Sequence, residues 1–367
     1  MNSVISSIGT ALPPFQLPRD AAAAFHVAAL GAQGDEAQHI QAIHRASGIQ
    51  QRHSVLPDFL QNGRAPYLFP TPDPKVAFPG TKERMEQYRK HVLPLAKQAI
   101  QNCLDSTTIV PVDLTHLIVV SCTGMYAPGL DIDLVKAMGL SSSVQRTAIN
   151  FMGCYGAFPG LKLADAICTA NPKAKVMVVC AELCSLHFQN QWDEDSLLAM
   201  ALFADGAAAV LVESNQSQSK GLHFEGFYND LAPEGADDMA WKIGDFGFEM
   251  KLSAYVPNII EKGIAPLTER LLLNFGLSVA DIPHFAIHPG GRRILQTIEQ
   301  QLGISKEQNH FAYEVLRNCG NMSSPTVLFV LKNLWEQLTS AQDGQRIISF
   351  AFGPGLTLES CLLTYHA

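Results

Sequence analysis

Two strand-like segments of this chain carry one signature at a fixed spacing. "VDLTHLIVVSCTG" (112–124) aligns with "ADIPHFAIHPGG" (280–291), pairing Asp113 with Asp281 and His116 with His284 at an offset of 168 residues. A repeat of this length constrains folding strongly, because both halves must build the same unit and bury a shared seam. Later features recur in the same order. The offset carries Cys154, in a small-residue turn, onto Asn321–Met322, in another such turn. The strand "AKVMVVCAEL" finds its counterpart in "GQRIISFAFGPG", and the apolar strands "AAAVLVE" and "LTLESCLLTY" close the two halves. Each half therefore reads as strand, long connection, small-residue turn, buried helix and strand, which predicts an α/β class with helices packed on sheets. The expected division is 1–215 for the half with the cysteine and 216–367 for the half with the histidine and asparagine.

Composition bounds what the two units do. With 47% hydrophobic and 16% charged residues in 367, the chain has ample material for a large core. A net charge of −8 opposes nucleic-acid binding, which requires a basic field. The start, "MNSVISSIGTALPPFQLPRD", lacks the pattern of a signal peptide, and the apolar runs are of strand length, so the expectation is a cytoplasmic protein with no membrane span. Cys180 and Cys184 form a C-x3-C pair with no second pair to complete a zinc site, so no metal is expected and the eight cysteines read as reduced thiols.

The turn "INFMGCYGAFPG" (149–160) sets Cys154 between glycines, ahead of the amphipathic "LKLADAICTA". Unpaired N–H groups and the helix dipole favour an anion there, so a thiolate forms more easily. Taken alone, Cys154 reads equally as a small buried hydrophobe. The repeat supplies partners: a pseudo-twofold brings Asn321 to the same point, and His288 ends its strand where ligand sites gather. Cys154 then carries an acyl group, with His288 holding its thiolate as an ion pair. The His288 N–H and the Asn321 amide donate to a thioester carbonyl as it becomes an enolate. No metal or redox cofactor is needed for that chemistry.

The segments "GCYGAFPGLKLAD", "HPGGRRIL", "CGNMSSPTVLFVL" and "FGPGLTLES" resemble the signature segments of the type III polyketide synthases, the chalcone synthase-like enzymes. The likeness runs across nearly the whole chain. It implies the thiolase fold, two pseudo-symmetric halves in a five-layered αβαβα arrangement, and a homodimer. It also implies a catalytic Cys–His–Asn set at Cys154, His288 and Asn321. In that family an acyl-CoA starter loads onto the cysteine, malonyl-CoA is decarboxylated, and the enolate attacks. The resemblance further places gating phenylalanines at Phe188 and Phe248, cavity positions at Cys122, Thr123 and Ser323, and a wall at Phe352, Gly353 and Gly355.

Four departures carry expectations of their own. Phe158 and Pro159 stand where many relatives have small residues, which predicts a reduced cavity and a short product. Gln50 and Gln51 replace common charges, leaving Arg45 and Arg52 as candidate CoA-phosphate ligands and an acyl carrier protein as an alternative donor. Ala127 stands where chalcone-forming relatives have a methionine that reaches the partner's cavity, and Arg292–Arg293 follow His-Pro-Gly-Gly without a physical account. Two other readings remain at this point. One is a single-step ketoacyl synthase with the same three residues; the other is a catalytically silent thiolase-fold partner. Cys319, close to Asn321, keeps a thiolase-like second cysteine in view.

Overall fold

The computed structural model describes residues 3–60, 67–70, 77–215, 220–232, 239–253 and 256–367. The first half begins with β1 (Ser3–Ala11), then β2 (Phe15–Pro18), α1 (Arg19–Ala29), α2 (Gly34–Ala46), β3 (Gln51–Ser54) and the long α3 (Thr81–Leu104). β4 (His116–Ser121), α4 (Leu130–Met138), β5 (Gln145–Asn150), α5 (Ala157–Ala170), β6 (Lys175–Leu183), α6 (Glu194–Leu202) and β7 (Asp205–Ser214) complete it. The second half runs through β8 (Gly221–Leu231), the hairpin β9 (Met239–Gly244) and β10 (Gly247–Leu252), and α7 (Val256–Leu273). It ends with β11 (His284–Ile287), α8 (Arg292–Leu302), α9 (His310–Cys319), α10 (Thr326–Gln337), β12 (Arg346–Gly353) and β13 (Thr357–His366). The expected division at 215/216 abuts residues 216–219, which lie outside the described residues.

The duplicated signature has a structural cause. Asp113 and Asp281 each close a single helical turn just before a strand, accepting from the backbone N–H of Val110 and of Ser278. His116 and His284 open the strands that follow, β4 and β11. Both strands then pair in parallel, β4 with β5 and β6, and β11 with β12.

The strands form one nine-stranded array in the order β11-β12-β13-β8-β1-β7-β6-β4-β5. Its two blocks meet through a short antiparallel junction, Val4 with His223 and Ile5 with Leu222. Helix α5 packs on β4, β6 and β7 and also reaches β13, while α10 packs on β11 and β12 and also on β1 and β7. These two helices lie between the blocks. Helix α3 covers β1, β6 and β7 on the outer side of one block, and α7 covers β8 and β13 on the other. The result is the αβαβα sandwich of the thiolase fold.

Sequence pattern explains which helix takes which layer. In α10 the run Thr326–Leu331 is buried all round, as a helix between two sheets must be. In α3 the buried side chains Tyr88, Val92, Leu95, Ala96 and Ala99 recur at helical spacing on one face, leaving a polar face to solvent. Among the described residues, no helix is long and apolar enough to cross a membrane.

Candidate active site

The elbow before α5 is a tight reversal. Phe151 has φ 60° and Gly153 φ 69°, both left-handed. A Cβ at Gly153 would lie 2.4 Å from Cδ of Pro354, so glycine is required both by conformation and by space. Cys154 follows in the turn Gly153–Tyr155, three residues ahead of α5, and lines a partly open cavity. The second elbow brings Asn321 to the sulfur, with both amide atoms 3.9 Å from Sγ. Its orientation is fixed by its neighbours. Oδ1 accepts from the Ser323 N–H at 2.8 Å, which leaves Nδ2 to donate towards Cys154 and the Gly290 carbonyl. The backbone is pinned as well, since Asn321 N–H donates to Leu202 and its carbonyl accepts from Ala204.

His288 lines the same cavity at the C-terminal end of β11, and its N–H donates to the Phe350 carbonyl at 2.8 Å. Its imidazole is buried, and among the described residues neither ring nitrogen has a hydrogen-bond partner. Leaving a buried polar atom unsatisfied costs about 1–3 kcal/mol, so a ring kept this way is a mark of a site built for a ligand. Burial pushes the Cys154 thiol up to about 12, against opposing hydrogen bonds from Ser323 and Asn321, and the His288 imidazole down to about 3. Burial penalises each lone charge. Moving the proton from sulfur to imidazole creates both charges together, beside a helix N-terminus that favours the anion.

A carboxylate that sequence reading passed over stands behind these groups. Glu182 is fully buried in β6, and its oxygens accept from Thr123 Oγ1 at 2.7 Å, Cys122 N–H at 2.9 Å, Ser121 Oγ at 3.3 Å and Ser324 Oγ at 2.6 Å. Burial raises its carboxyl, opposed by the hydrogen bonds from Ser324, Cys122 and Thr123. The only sequence signal was one acidic residue inside the apolar run "KVMVVCAEL". Cys122 and Ser323 also touch, Sγ to Oγ at 3.4 Å, which joins the two halves on the cavity wall.

Most of the expected cavity residues fall on its wall: Cys122, Thr123, Phe188, Phe248, Ser323 and Phe352. Phe188 also belongs to a cluster of rings with Phe25, His26, Phe69 and Phe78. A phenylalanine that sequence reading missed, Phe203, lines the cavity and forms a backbone bridge with Asn321 itself. Gly353 sits beneath the elbow, where a Cβ would meet the Tyr155 ring at 2.5 Å, and Gly355 turns the chain with φ 74°.

Other expectations are corrected. Phe158 points into the core between the sheets and does not line the cavity, because the first turn of α5 directs it towards the apolar interior. The short product inferred from its volume loses its basis. Arg52 is buried on the wall of the cavity, with Nη1 donating to the carbonyls of Met200 and Phe203, so its charge braces α6 from within and does not lie on the exposed surface where CoA phosphates were expected. Arg45, at the end of α2, is exposed, as are Arg292 and Arg293. Cys319 ends α9 within the core and is not on the cavity wall, which removes the second-cysteine reading.

The family model for the N-terminal domain of chalcone and stilbene synthases matches residues 2–216, and that for the C-terminal domain matches residues 225–366. The chain is 34% identical over 285 residues to an alpha-pyrone synthesis polyketide synthase-like protein, Pks18, of Mycobacterium tuberculosis, covering 77% of this chain and 72% of the relative. It is 30% identical over 319 residues to the 1,3,6,8-tetrahydroxynaphthalene synthase of Streptomyces coelicolor, covering 86% and 80%. Among solved structures, PKS-I of the brown alga Ectocarpus siliculosus superposes with a TM-score of 0.91 at 30% identity, over 99% of this chain and 98% of that one. The C-terminal type III polyketide synthase domain of Steely1 from Dictyostelium superposes at 0.89 with 28% identity, over the full length of both. These matches favour neither a single-step ketoacyl synthase nor a silent partner.

Proposed function

The chain belongs to the chalcone and stilbene synthase family, the type III polyketide synthases, and on that premise we propose that Cys154, His288 and Asn321 carry out its decarboxylative condensation of malonyl-CoA with a cysteine-bound acyl starter. The observation that carries this assignment is the convergence of sulfur, carboxamide and an unpartnered imidazole on one cavity.

Loading begins when His288 takes the Cys154 proton and the sulfur attacks the thioester carbonyl of an acyl-CoA. The C–S bond to CoA breaks, and the CoA thiolate leaves with the proton held by His288. Malonyl-CoA then places its thioester oxygen between the His288 N–H and Asn321 Nδ2. Loss of CO2 moves an electron pair onto that oxygen, where both donors strengthen as charge develops. The enolate carbon attacks the acyl group on Cys154, a C–C bond forms, and the sulfur departs as thiolate. Phe248 and Phe203 form an apolar wall that disfavours the charged carboxylate and favours its loss as CO2. The substrates are CoA thioesters and the scheme needs no metal or redox cofactor.

The working form in this reading is a homodimer. Strand β5 lies at the edge of the array with most of its residues exposed, and Met125 and Met152 are exposed large hydrophobics. An uncovered edge strand of this kind is suited to pairing with a second copy. Purified protein incubated with malonyl-CoA and a panel of acyl-CoAs, with products read by mass spectrometry, tests the function. Extended acyl products are expected. Products formed only from malonyl-carrier protein would overturn the CoA assignment, and no product from either donor would overturn the condensation itself.

A further inference from the structure

One buried side chain in the cavity wall takes no part in this scheme, yet it is held on every side. His187 lies in the turn after β6, and its ring stacks on Phe248 with centroids 4.4 Å apart and planes 9° from parallel. The Trp241 ring meets it edge-on at 5.4 Å. The Phe248 backbone N–H donates to Nδ1 at 2.8 Å, so Nδ1 carries no proton. The proton is therefore on Nε2, which donates to the Thr123 carbonyl at 2.7 Å. Together the two bonds select a single neutral tautomer, and burial acts in the same direction by holding the imidazole down to about 3.

These contacts matter because of where Phe248 sits. It is on β10, and β9–β10 form a two-stranded sheet separate from the main array. An isolated hairpin is at best marginally stable in water, so its position depends on links to the body of the protein. His187 supplies one link. Gln189 adds another, its Nε2 donating to the carbonyls of Phe246 and Phe248, and Trp241 Nε1 donates to the Cys122 carbonyl at 2.6 Å. The Phe248 ring also meets Phe151, whose left-handed backbone opens the nucleophile elbow, at 5.3 Å. The ring is therefore fixed between His187 and the segment that presents Cys154.

We propose that His187 is a positioning and specificity-determining residue: through its two hydrogen bonds and its stacked ring it fixes Phe248 relative to Cys154, and so sets how large an acyl intermediate the cavity accepts. The inference rests on the condensation reading above, with Phe248 as part of the wall. A displacement of about 1 Å in such a wall alters which intermediates reach an attacking geometry. Loss of the tautomer-specific bonds thus changes the products before it abolishes chemistry.

The test compares His187→Phe, which keeps a ring and loses both hydrogen bonds, with His187→Asn, whose Oδ1 stands in for the Nδ1 acceptor. Both are made in the natural protein and in Phe248→Leu. The ratio of longer to shorter products is read by mass spectrometry beside kcat, KM and Tm. His187→Phe is expected to shift the product ratio by at least about tenfold, the scale on which apolar pockets discriminate. His187→Asn should restore most of the original ratio. In the Phe248→Leu background the same change should move the ratio less than about twofold, because the side chain through which it acts is gone. An equal shift in both backgrounds, or an unchanged ratio in a folded His187→Phe protein, overturns the proposal. Should His187→Phe fail to fold, nitrogen NMR of histidine-labelled protein decides, with His187→Asn assigning the signal. A protonated Nε2 with an accepting Nδ1 is expected, and the reverse tautomer or a charged ring overturns the proposal. Absence of any product from the unsubstituted protein would instead sink the condensation reading and the specificity role with it, while the NMR signal still reports the hold on Phe248.

Discussion

At one step of the repeat the first half places Cys154 and the second places Met322. Cys154 faces the cavity, whereas Met322 is completely buried, its sulfur filling the space over Gly206. The carboxamide that faces the cavity from the second half comes from the residue one place earlier, Asn321, whose counterpart is Gly153. Each elbow still uses a glycine with φ near 70°, Gly153 at 69° and Gly320 at 72°. A positive-φ glycine thus stands in each elbow, one residue out of step, beside different side chains. Among the described residues the sulfur of the first elbow has long contacts to Asn321, as suits the nucleophile proposed above. Around the second, Ser323 and Thr326 immobilise the amide and the adjoining backbone, as suits a donor whose strength depends on not moving.

The contrast is broken most directly at its centre. Cys154→Ala should lower product formation at least about 10⁴-fold, the scale seen when a nucleophile is removed. Met322→Leu at the equivalent step should leave it within about twofold, because a volume-conserving core exchange costs little. Comparable losses in both would mean that the two positions are not divided between chemistry and packing. Next comes the pair Phe158 and Thr326, also equivalent by the repeat. Phe158→Ala removes a core aromatic and should cost about 3–5 kcal/mol in denaturant unfolding. Product lengths should stay unchanged, and a longer product would return Phe158 to the cavity wall.

Asn321→Ala is expected to reduce kcat for CO2 release from malonyl-CoA by about 10²–10³, the usual range for an oxyanion donor. Alkylation of Cys154 by iodoacetamide should persist in that variant, and its loss would show that the amide acts on the sulfur instead. The smallest effect concerns pH. In His288→Gln no imidazole is present to take the proton, and burial holds the Cys154 thiol up to about 12. A raised thiol pKa leaves little thiolate at neutral pH, so alkylation should be slowed about tenfold or more and should climb about tenfold per pH unit in the alkaline range. A flat profile in the variant would show that the helix N-terminus alone sustains the thiolate.

Much of this site was legible in the order of residues because the repeat converts a linear offset into a spatial meeting. Cys154, Asn321 and the strand end at His288 follow from it. Periodicity reveals that a side chain is buried but not which of two interiors it enters. Phe158 was therefore misplaced on the cavity, although it faces the core. Arg52 carries a charge that suggests solvent, yet it is buried on the cavity wall, where two carbonyls from α6 and its far end hold Nη1. Phe203 escaped notice because its nearness to Asn321 comes from a bridge between residues 118 positions apart. Glu182 was hidden for a related reason, since its partners are drawn from the end of β4, the residues just after it and the second elbow. Hydrogen bonds between distant segments leave no periodic trace.

The central pair of helices has a consequence for biosynthesis. Because α5 also rests on β13 and α10 also rests on β1 and β7, each half supplies packing surface that the other needs. An N-terminal half emerging from the ribosome displays the apolar side of α5 and of its strands with nothing yet to cover them. It must wait, guarded against aggregation, until the last strand has been translated. The fold is therefore completed only once β13 has left the ribosome, and co-expressed halves should succeed where either half expressed alone becomes insoluble.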